Sequence, residues 1–151
     1  MEETTLAASE PIIRALLAKG EVFSFCPHGT SMLSTIHPGQ DSVSIVSLDG
    51  RAGLFDILLY RRPNGKFVLH RVIAVGEEDY TLCGDNRVEI EYGVKDDWVI
   101  GVLSEIHYPN GKTLLRGTKP FLRAGRRALR RYPLRAARWR VSRFVHKLIR
   151  K

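Results

Sequence analysis

Short apolar segments separated by turn residues fill the chain up to residue 107, and this pattern most constrains the fold. Residues 42–46 alternate polar and apolar side chains, and residues 56–60 and 67–73 flank the turn Pro63-Asn64-Gly65, which is typical of a β-hairpin. Strands are expected over residues 21–26, 42–47, 56–61, 67–75, 79–83 and 99–107. The chain is therefore predicted to form a mostly β, barrel-like domain.

A short helix is expected before the first strand. Ser9, Glu10 and Pro11 form a helix-start signal, and Lys19-Gly20 is typical of a helix end. Its apolar face would comprise Ile12, Ile13, Leu16 and Leu17. We divide the chain into an N-terminal helix over 1–20, a β domain over 21–108 and a basic, amphipathic, helical C-terminal tail over 109–151.

Charge is distributed unevenly between these parts. Residues 1–105 hold all 16 acidic residues and 9 Lys or Arg, whereas residues 106–151 hold 15 Lys or Arg and no acid. Such a charge asymmetry identifies the tail as a segment with an anionic partner.

The tail after Pro133 also carries a helical apolar pattern. One predicted face holds Leu134, Ala137, Val141, Phe144, Val145, Leu148 and Ile149. Basic residues, among them Arg135, Arg143 and Arg150, fill the other faces. We expect residues 134–151 to lie on an anionic membrane surface, because such a surface takes up apolar side chains as well as basic ones. Packing on protein is the alternative, and nucleic acid is disfavoured because an apolar face adds nothing to phosphate binding.

Three short motifs supply the groups needed for acyl transfer. Gly29-Thr30-Ser31-Met32 offers a hydroxyl nucleophile, His70 in Leu69-His70-Arg71-Val72 offers an imidazole base, and Asp85 in Gly84-Asp85-Asn86 offers a carboxylate to orient it. An imidazole is ordinarily neutral enough at pH 7 to serve as a base. These motifs predict Ser31, His70 and Asp85 as catalytic residues.

Together with Pro38-Gly39 and Asp56-Ile57, these motifs resemble the signal peptidase and LexA-type superfamily of serine peptidases over roughly residues 20–105. Its members carry a Gly-x-Ser-Met box, a Pro-Gly-Asp turn, a Gly-Asp-Ile-Val strand, a Lys-Arg or His-Arg box and a closing Gly-Asp-Asn. The resemblance implies a signal peptidase/LexA-like β-barrel. His70 stands where many members have lysine, as in archaeal and eukaryotic signal peptidases. The chain departs from the pattern at Phe55, where the family has glycine, and at the inserted Gln40.

The resemblance implies a serine endopeptidase that cleaves a specific peptide or protein, for example a leader peptide, through a Ser-His-Asp mechanism. Gly29 stands where some bacterial members have an oxyanion-binding serine. The oxyanion would then depend on backbone amides near Ser31, in a pocket formed by Gly29, Thr30 and Met32, with the Thr30 hydroxyl assisting. Two alternatives remain: an inactive peptide-binding module of the same fold, and an adaptor whose basic tail binds membrane or nucleic acid.

Other titratable residues compete for these roles. His28 and His37 are near Ser31 in sequence and are interpreted as surface or pocket-rim residues, and an acidic cluster is interpreted as a solvated face. This cluster comprises Glu89, Glu91, Asp96 and Asp97. Cys26, His28 and Cys83 lack metal-site spacing, so we expect neither metal nor cofactor, and the two cysteines are expected to be free, buried thiols.

The sequence also carries an expectation about location. The acidic start Met1-Glu2-Glu3 is unlike a secretory signal, and no apolar run approaches the roughly 20 residues of a spanning helix. We therefore expect a cytoplasmic protein, peripheral at the inner face of the cell membrane.

Overall fold

The computed structural model describes Glu3–Ile149, apart from the side chains of residues 3–7 and Leu148. Within these residues, one helix precedes eight strands along the chain and another follows them, and a 3-10 turn, Asp96–Trp98, lies between the sixth and seventh strands. The elements are α1 (Glu3–Ala18), β1 (Phe23–Phe25), β2 (Ser42–Val46), β3 (Ile57–Arg61), β4 (Phe67–Val75), β5 (Asp79–Cys83), β6 (Ile90–Lys95), β7 (Val99–His107), β8 (Thr113–Leu115) and α2 (Lys119–Ile149).

The strands form one antiparallel sheet in the order β1-β2-β7-β3-β4-β5-β6, with β8 added to β7. The prediction of a mostly β chain is confirmed, with a helix at each end. The hairpin predicted around Pro63-Asn64-Gly65 joins β3 to β4, and Gly65 takes a left-handed φ of 86° there, which favours glycine. Of the strands in the sheet, β6 and β8 were not predicted.

Apolar side chains form a cluster on each face of the sheet. β3 contributes to both clusters, because Ile57, Leu58, Leu59 and Tyr60 are all buried and successive side chains of a strand point to opposite faces. Ile13 and Leu17 of α1 pack into the first cluster. Ile12, predicted for the same helical face, is exposed. The helix ends as predicted, with a left-handed Gly20, but it already includes Ser9 and Pro11 instead of starting there.

α2 differs most from its prediction. It begins at Lys119 and continues through Pro133, where the sequence suggested that a helix starts. Its first turns belong to the core, since Phe121 is buried in the first cluster and the helix backbone at Gly125 lies so close to the ring of Phe55 that a Cβ would collide with it. Strand β8 also falls within the predicted tail over 109–151. The segment that stands apart from the domain is therefore shorter than that tail.

No helix among the described residues combines the length and the apolar character needed to cross a membrane.

Candidate active site

Ser31 lies in the turn between β1 and β2, and the loop after β5 holds this turn in place. The backbone N–H of Asn86 donates to the carbonyl oxygen of Ser31 at 2.8 Å, and the side-chain amide of Asn86 donates to the carbonyl oxygen of Thr30 at 3.2 Å. Two of the predicted motifs, Gly29 to Met32 and Gly84 to Asn86, are thus brought together. Asn86 fixes the backbone on which the Ser31 hydroxyl is carried.

Gly84 allows the closest approach in this region. A Cβ at residue 84 would lie 2.6 Å from the carbonyl oxygen of Ser31 and 3.1 Å from Nε2 of His70. The first distance is to backbone, which cannot move aside without displacing the turn. The bare backbone of Gly84 therefore lets the Ser31 turn and the imidazole of His70 approach the same point.

His70 lies on β4, and its two ring nitrogens have different surroundings. Nδ1 is 3.2 Å from a carboxylate oxygen of Glu91 and 3.3 Å from the Tyr60 hydroxyl, whereas Nε2 faces Gly84. A carboxylate accepts a hydrogen bond from Nδ1–H, which leaves the lone pair on Nε2. His70 is buried, with 5% of its surface exposed, so the ring is held in this orientation.

Glu91, on β6, is the carboxylate that contacts the imidazole. Burial by itself would raise the pKa of Glu91, but hydrogen bonds from His70, Arg62 and Tyr60 outweigh it and lower the pKa to about 2. Nε of Arg62 donates to the second oxygen of Glu91 at 2.9 Å. Burial and the neighbouring charge of Glu91 raise the pKa of Tyr60. Glu91 is therefore an anion at neutral pH, as an orienting carboxylate must be.

The prediction that Asp85 contacts His70 is wrong, because the carboxylate of Asp85 binds Arg71 and Thr35 instead. Both oxygens of Asp85 bind the guanidinium of Arg71, at 2.8 and 2.7 Å, and the hydroxyl of Thr35 donates to one of them at 2.5 Å. Arg71 follows His70 directly on β4, so its side chain points to the opposite face of the strand. The resulting ion pair is fully buried. Asp85 thus connects β4 to the Ser31 turn and leaves the imidazole to Glu91.

Ser31 and His70 line one groove of about 660 Å³. Residues 25–29 and 66–69 also line it, and so does Glu91, which contacts His70. Met32 and Leu59 lie at its base and also belong to the core. In the described part of the chain, no hydrogen bond joins the Ser31 hydroxyl to His70.

Of the three residues predicted to form the oxyanion pocket, two line the groove. Gly29 and Met32 line the groove, Met32 from within the core, and Thr30 is exposed. Within residues 3–149 the backbone amides of Ser31 and Met32 donate to no other group, because the hydrogen bonds of this turn start at Leu33, Thr35 and Ile36. These two amides are therefore candidate donors for an oxyanion.

The rival residues fall in different places. His28 lines the groove, as expected of a pocket-rim residue, and His37 is exposed, as expected of a surface residue, with its Nδ1 2.8 Å from the buried Asp41. Cys83 is buried, and burial raises the pKa of its thiol. Cys26 is exposed, contrary to the prediction that both thiols are buried.

The sequence predicted that Glu91 lies on a solvated acidic face. Its contact with His70 was not predicted because strand β6 was not predicted. Ile90–Lys95 contains Gly93 in a left-handed conformation and an exposed Tyr92, which disturb the alternation that marks a strand. Without β6, nothing in the sequence brought residue 91 toward residue 70. The sequence therefore carried no local signal for this contact.

Comparison with models of known protein families found no match, and no curated protein is significantly similar to the chain. Among the described residues, no group of three or more His, Cys, Asp or Glu side chains is arranged to hold a metal ion.

Proposed function

We propose that the protein is a serine endopeptidase in which Ser31 is the nucleophile and His70 the general base. The main support for this proposal is that the two ring nitrogens of His70 have different neighbours. Nδ1 faces the anionic Glu91, and Nε2 faces Gly84 and the Ser31 turn. This is the arrangement that a base needs in order to accept a hydroxyl proton.

The reaction follows from these positions. The Ser31 oxygen attacks the carbonyl carbon of a peptide bond while its proton passes to Nε2 of His70, and the Glu91 carboxylate stabilises the imidazolium. Nε2–H then protonates the leaving amine as the carbon–nitrogen bond breaks, leaving an ester on Ser31. Water attacks that ester, His70 takes up its proton and returns it to Ser31, and a carboxylic acid product leaves. The amides of Ser31 and Met32 donate to the oxyanion.

Backbone geometry supports the resemblance to the signal peptidase and LexA-type superfamily. Phe55 has a φ of 73°, a left-handed conformation that favours glycine, and it occupies the position where the superfamily has glycine. Gly39 of the Pro-Gly turn also has a positive φ, of 69°. A signal peptidase/LexA-like fold is therefore part of the proposal, with Asp85 of the closing box in a positioning role.

A peptide or protein is the substrate class that suits the groove. Among the described strands, β1 lies at the edge of the sheet and pairs with β2 alone, and Phe25, Cys26 and Pro27 at its end line the groove. An extended chain could pair with such an edge and place its carbonyl beside Ser31. Leader-peptide processing is one reaction of this type.

The test is cleavage of a mixed library of synthetic peptides, with products identified by mass spectrometry. The wild-type protein is expected to yield discrete cleavage products, and Ser31→Ala and His70→Ala are each expected to abolish them while leaving circular dichroism unchanged. Ser47→Ala, which removes an exposed hydroxyl elsewhere, is the matched control and should retain full activity. Equal cleavage by wild type and Ser31→Ala would contradict the proposal.

The open edge of β1 equally favours a second candidate, a non-catalytic module that captures extended peptides. The same library distinguishes the two functions. Peptides that are retained by the protein but recovered intact would support the binding module.

A further inference from the structure

The second half of α2 exposes a row of large apolar side chains. We define the exposed stripe as Leu134, Val141, Phe144, Val145 and Ile149, whose exposed fractions run from 43% to 77%. Isolated apolar residues are common on protein surfaces, but a contiguous row along one helix marks an interaction surface.

This stripe faces away from the domain. The side of α2 that packs on the sheet carries Phe121, Gly125, Ala128 and Tyr132, and the Tyr132 hydroxyl donates to the carbonyl oxygen of Val88 at 2.9 Å. At about 100° per residue, the exposed stripe lies about 150° around the helix axis from that side. Folding of the domain therefore does not cover it.

Basic side chains are abundant on the same helix. Residues 119–149 contain 11 Lys or Arg and no acidic residue. At about 100° per residue, Arg140 lies beside the stripe and Arg143 and Lys147 lie on the opposite side of the same half of the helix, where the guanidinium of Arg143 stacks on the ring of Trp139 at 4.7 Å. The partner must therefore offer both negative charge and a medium that takes up apolar side chains.

We propose that the exposed stripe docks on an anionic lipid bilayer, with the helix lying in the plane of the interface. A bilayer with acidic headgroups combines the two properties required, apolar acyl chains below a negatively charged surface. Nucleic acid would neutralise the arginines but leave the stripe in water. A second copy of α2 would cover the stripe but bring two strongly positive helices together.

Docking in this way would hold the groove near the lipid surface. Arg87 and Glu89 line the groove, and the same two residues form a cleft of about 280 Å³ with Arg135, Arg138 and Trp139 of α2. The second half of α2 is thus adjacent to the candidate active site. The docking proposal itself does not depend on catalysis, and a Ser31→Ala protein is expected to bind bilayers as well as wild type does.

The test is sedimentation of the full chain with vesicles. With vesicles of equal parts phosphatidylglycerol and phosphatidylcholine at low salt, wild type should bind, and with pure phosphatidylcholine binding should be much weaker.

Val141→Ser with Phe144→Ser should weaken binding about 10-fold or more by removing apolar burial. Arg140→Gln, Arg143→Gln and Lys147→Gln together should weaken it about 10- to 100-fold. Val75→Ser with Tyr92→Ser removes two exposed apolar side chains from the sheet and should have no effect.

Four outcomes would overturn the proposal. The first is that wild type remains in solution with the anionic vesicles, and the second is that the Val141/Phe144 variant binds them as well as wild type does. A dimer in analytical ultracentrifugation that dissociates in the Val141/Phe144 variant, without lipid, would identify a second copy as the occupant. Binding to RNA that survives the serine substitutions, with no vesicle binding, would identify nucleic acid.

Discussion

At the level of single residues, the carboxylate that contacts His70 is Glu91 and not Asp85, for which the sequence predicted this contact. Glu91 contacts the imidazole of His70, and Asp85 neutralises the buried guanidinium of Arg71. The two carboxylates lie on successive parts of the chain after β5, yet they serve opposite faces of β4. Substitution of each one should therefore produce a different defect.

Glu91→Gln should lower kcat by about 100-fold or more with little change in KM, because a neutral amide neither fixes the Nδ1–H tautomer nor stabilises the imidazolium. Steady-state kinetics on a peptide found in the library would measure this loss. Glu89→Gln is the matched control, since Glu89 lines the same groove and is exposed. Equal kcat values for Glu91→Gln and Glu89→Gln would refute the role assigned to Glu91.

Asp85→Asn should instead act mainly on stability. Removing the carboxylate charge leaves the guanidinium of Arg71 buried without a counter-ion, and breaking a buried pair in this way costs about 3–5 kcal/mol. Denaturant unfolding of wild type and Asp85→Asn would give the difference. A stable variant with abolished activity would show that Asp85 acts on the chemistry directly.

The pKa of Glu91 predicts how stability depends on pH. Since folding lowers this pKa to about 2 from an ordinary value of 4.5, the anion stabilises the folded state fully above pH 4.5. That contribution is lost as the pH falls toward 2. Between pH 6 and pH 3 the loss should be about 2 kcal/mol of unfolding free energy. In Glu91→Gln the fall over the same interval should be smaller by that amount, and equal falls in both proteins would contradict the assignment.

At the level of elements, α2 is divided near Pro133 into a half that buries apolar side chains against the domain and a half whose apolar stripe is exposed, although Arg135 of the second half donates to the carbonyl oxygen of Arg87. Phe121 is 1% exposed and Ala128 is 8% exposed, whereas Leu134 is 67% exposed. Proline removes a backbone hydrogen bond from the helix interior, which makes this the natural point of division. The two halves should contribute very differently to folding.

Truncation tests this division. A chain that ends at Tyr132 should unfold at nearly the same denaturant concentration as the full chain, because it keeps Phe121, Ala128 and the hydrogen bond from Tyr132 to Val88. A chain that ends at Thr118 should lose about 3–5 kcal/mol, the cost of deleting a buried aromatic side chain. If truncation at Tyr132 destabilised the domain as much, the exposed half of α2 would have to be part of the core.

These elements show which parts of the fold could be predicted from the sequence. β4 was predicted at residues 67–75 and is found there, because its alternation and the preceding turn are local signals. The three-residue β8 carries too short a pattern, and α2 passes through Pro133, which local rules take as a helix boundary. The motifs located Ser31 and His70, but the contact between His70 and Glu91 depends on the register of β4, β5 and β6. That register is a property of the assembled sheet.

At the level of the whole molecule, the groove with the candidate active site adjoins the basic helix α2. The groove carries Ser31, His70 and Glu91, and its Arg87 and Glu89 rim continues into the cleft beneath α2. Within the acid-free stretch of residues 106–151, the described part of α2 packs Phe121 into the core and continues past the cleft that adjoins the groove. We infer that the proposed lipid-binding stripe and the proposed peptidase site lie in neighbouring parts of this molecule.

A fluorophosphonate probe tests the claim that His70 activates Ser31, because only an activated serine reacts rapidly with the phosphorus atom. Intact-mass analysis and peptide mapping after incubation with the probe should show one adduct, on Ser31, in the wild-type protein. The adduct should be absent in Ser31→Ala and should form far more slowly in His70→Ala. Failure of Ser31 to react in the folded wild-type protein, or an equal rate in His70→Ala, would contradict the claim.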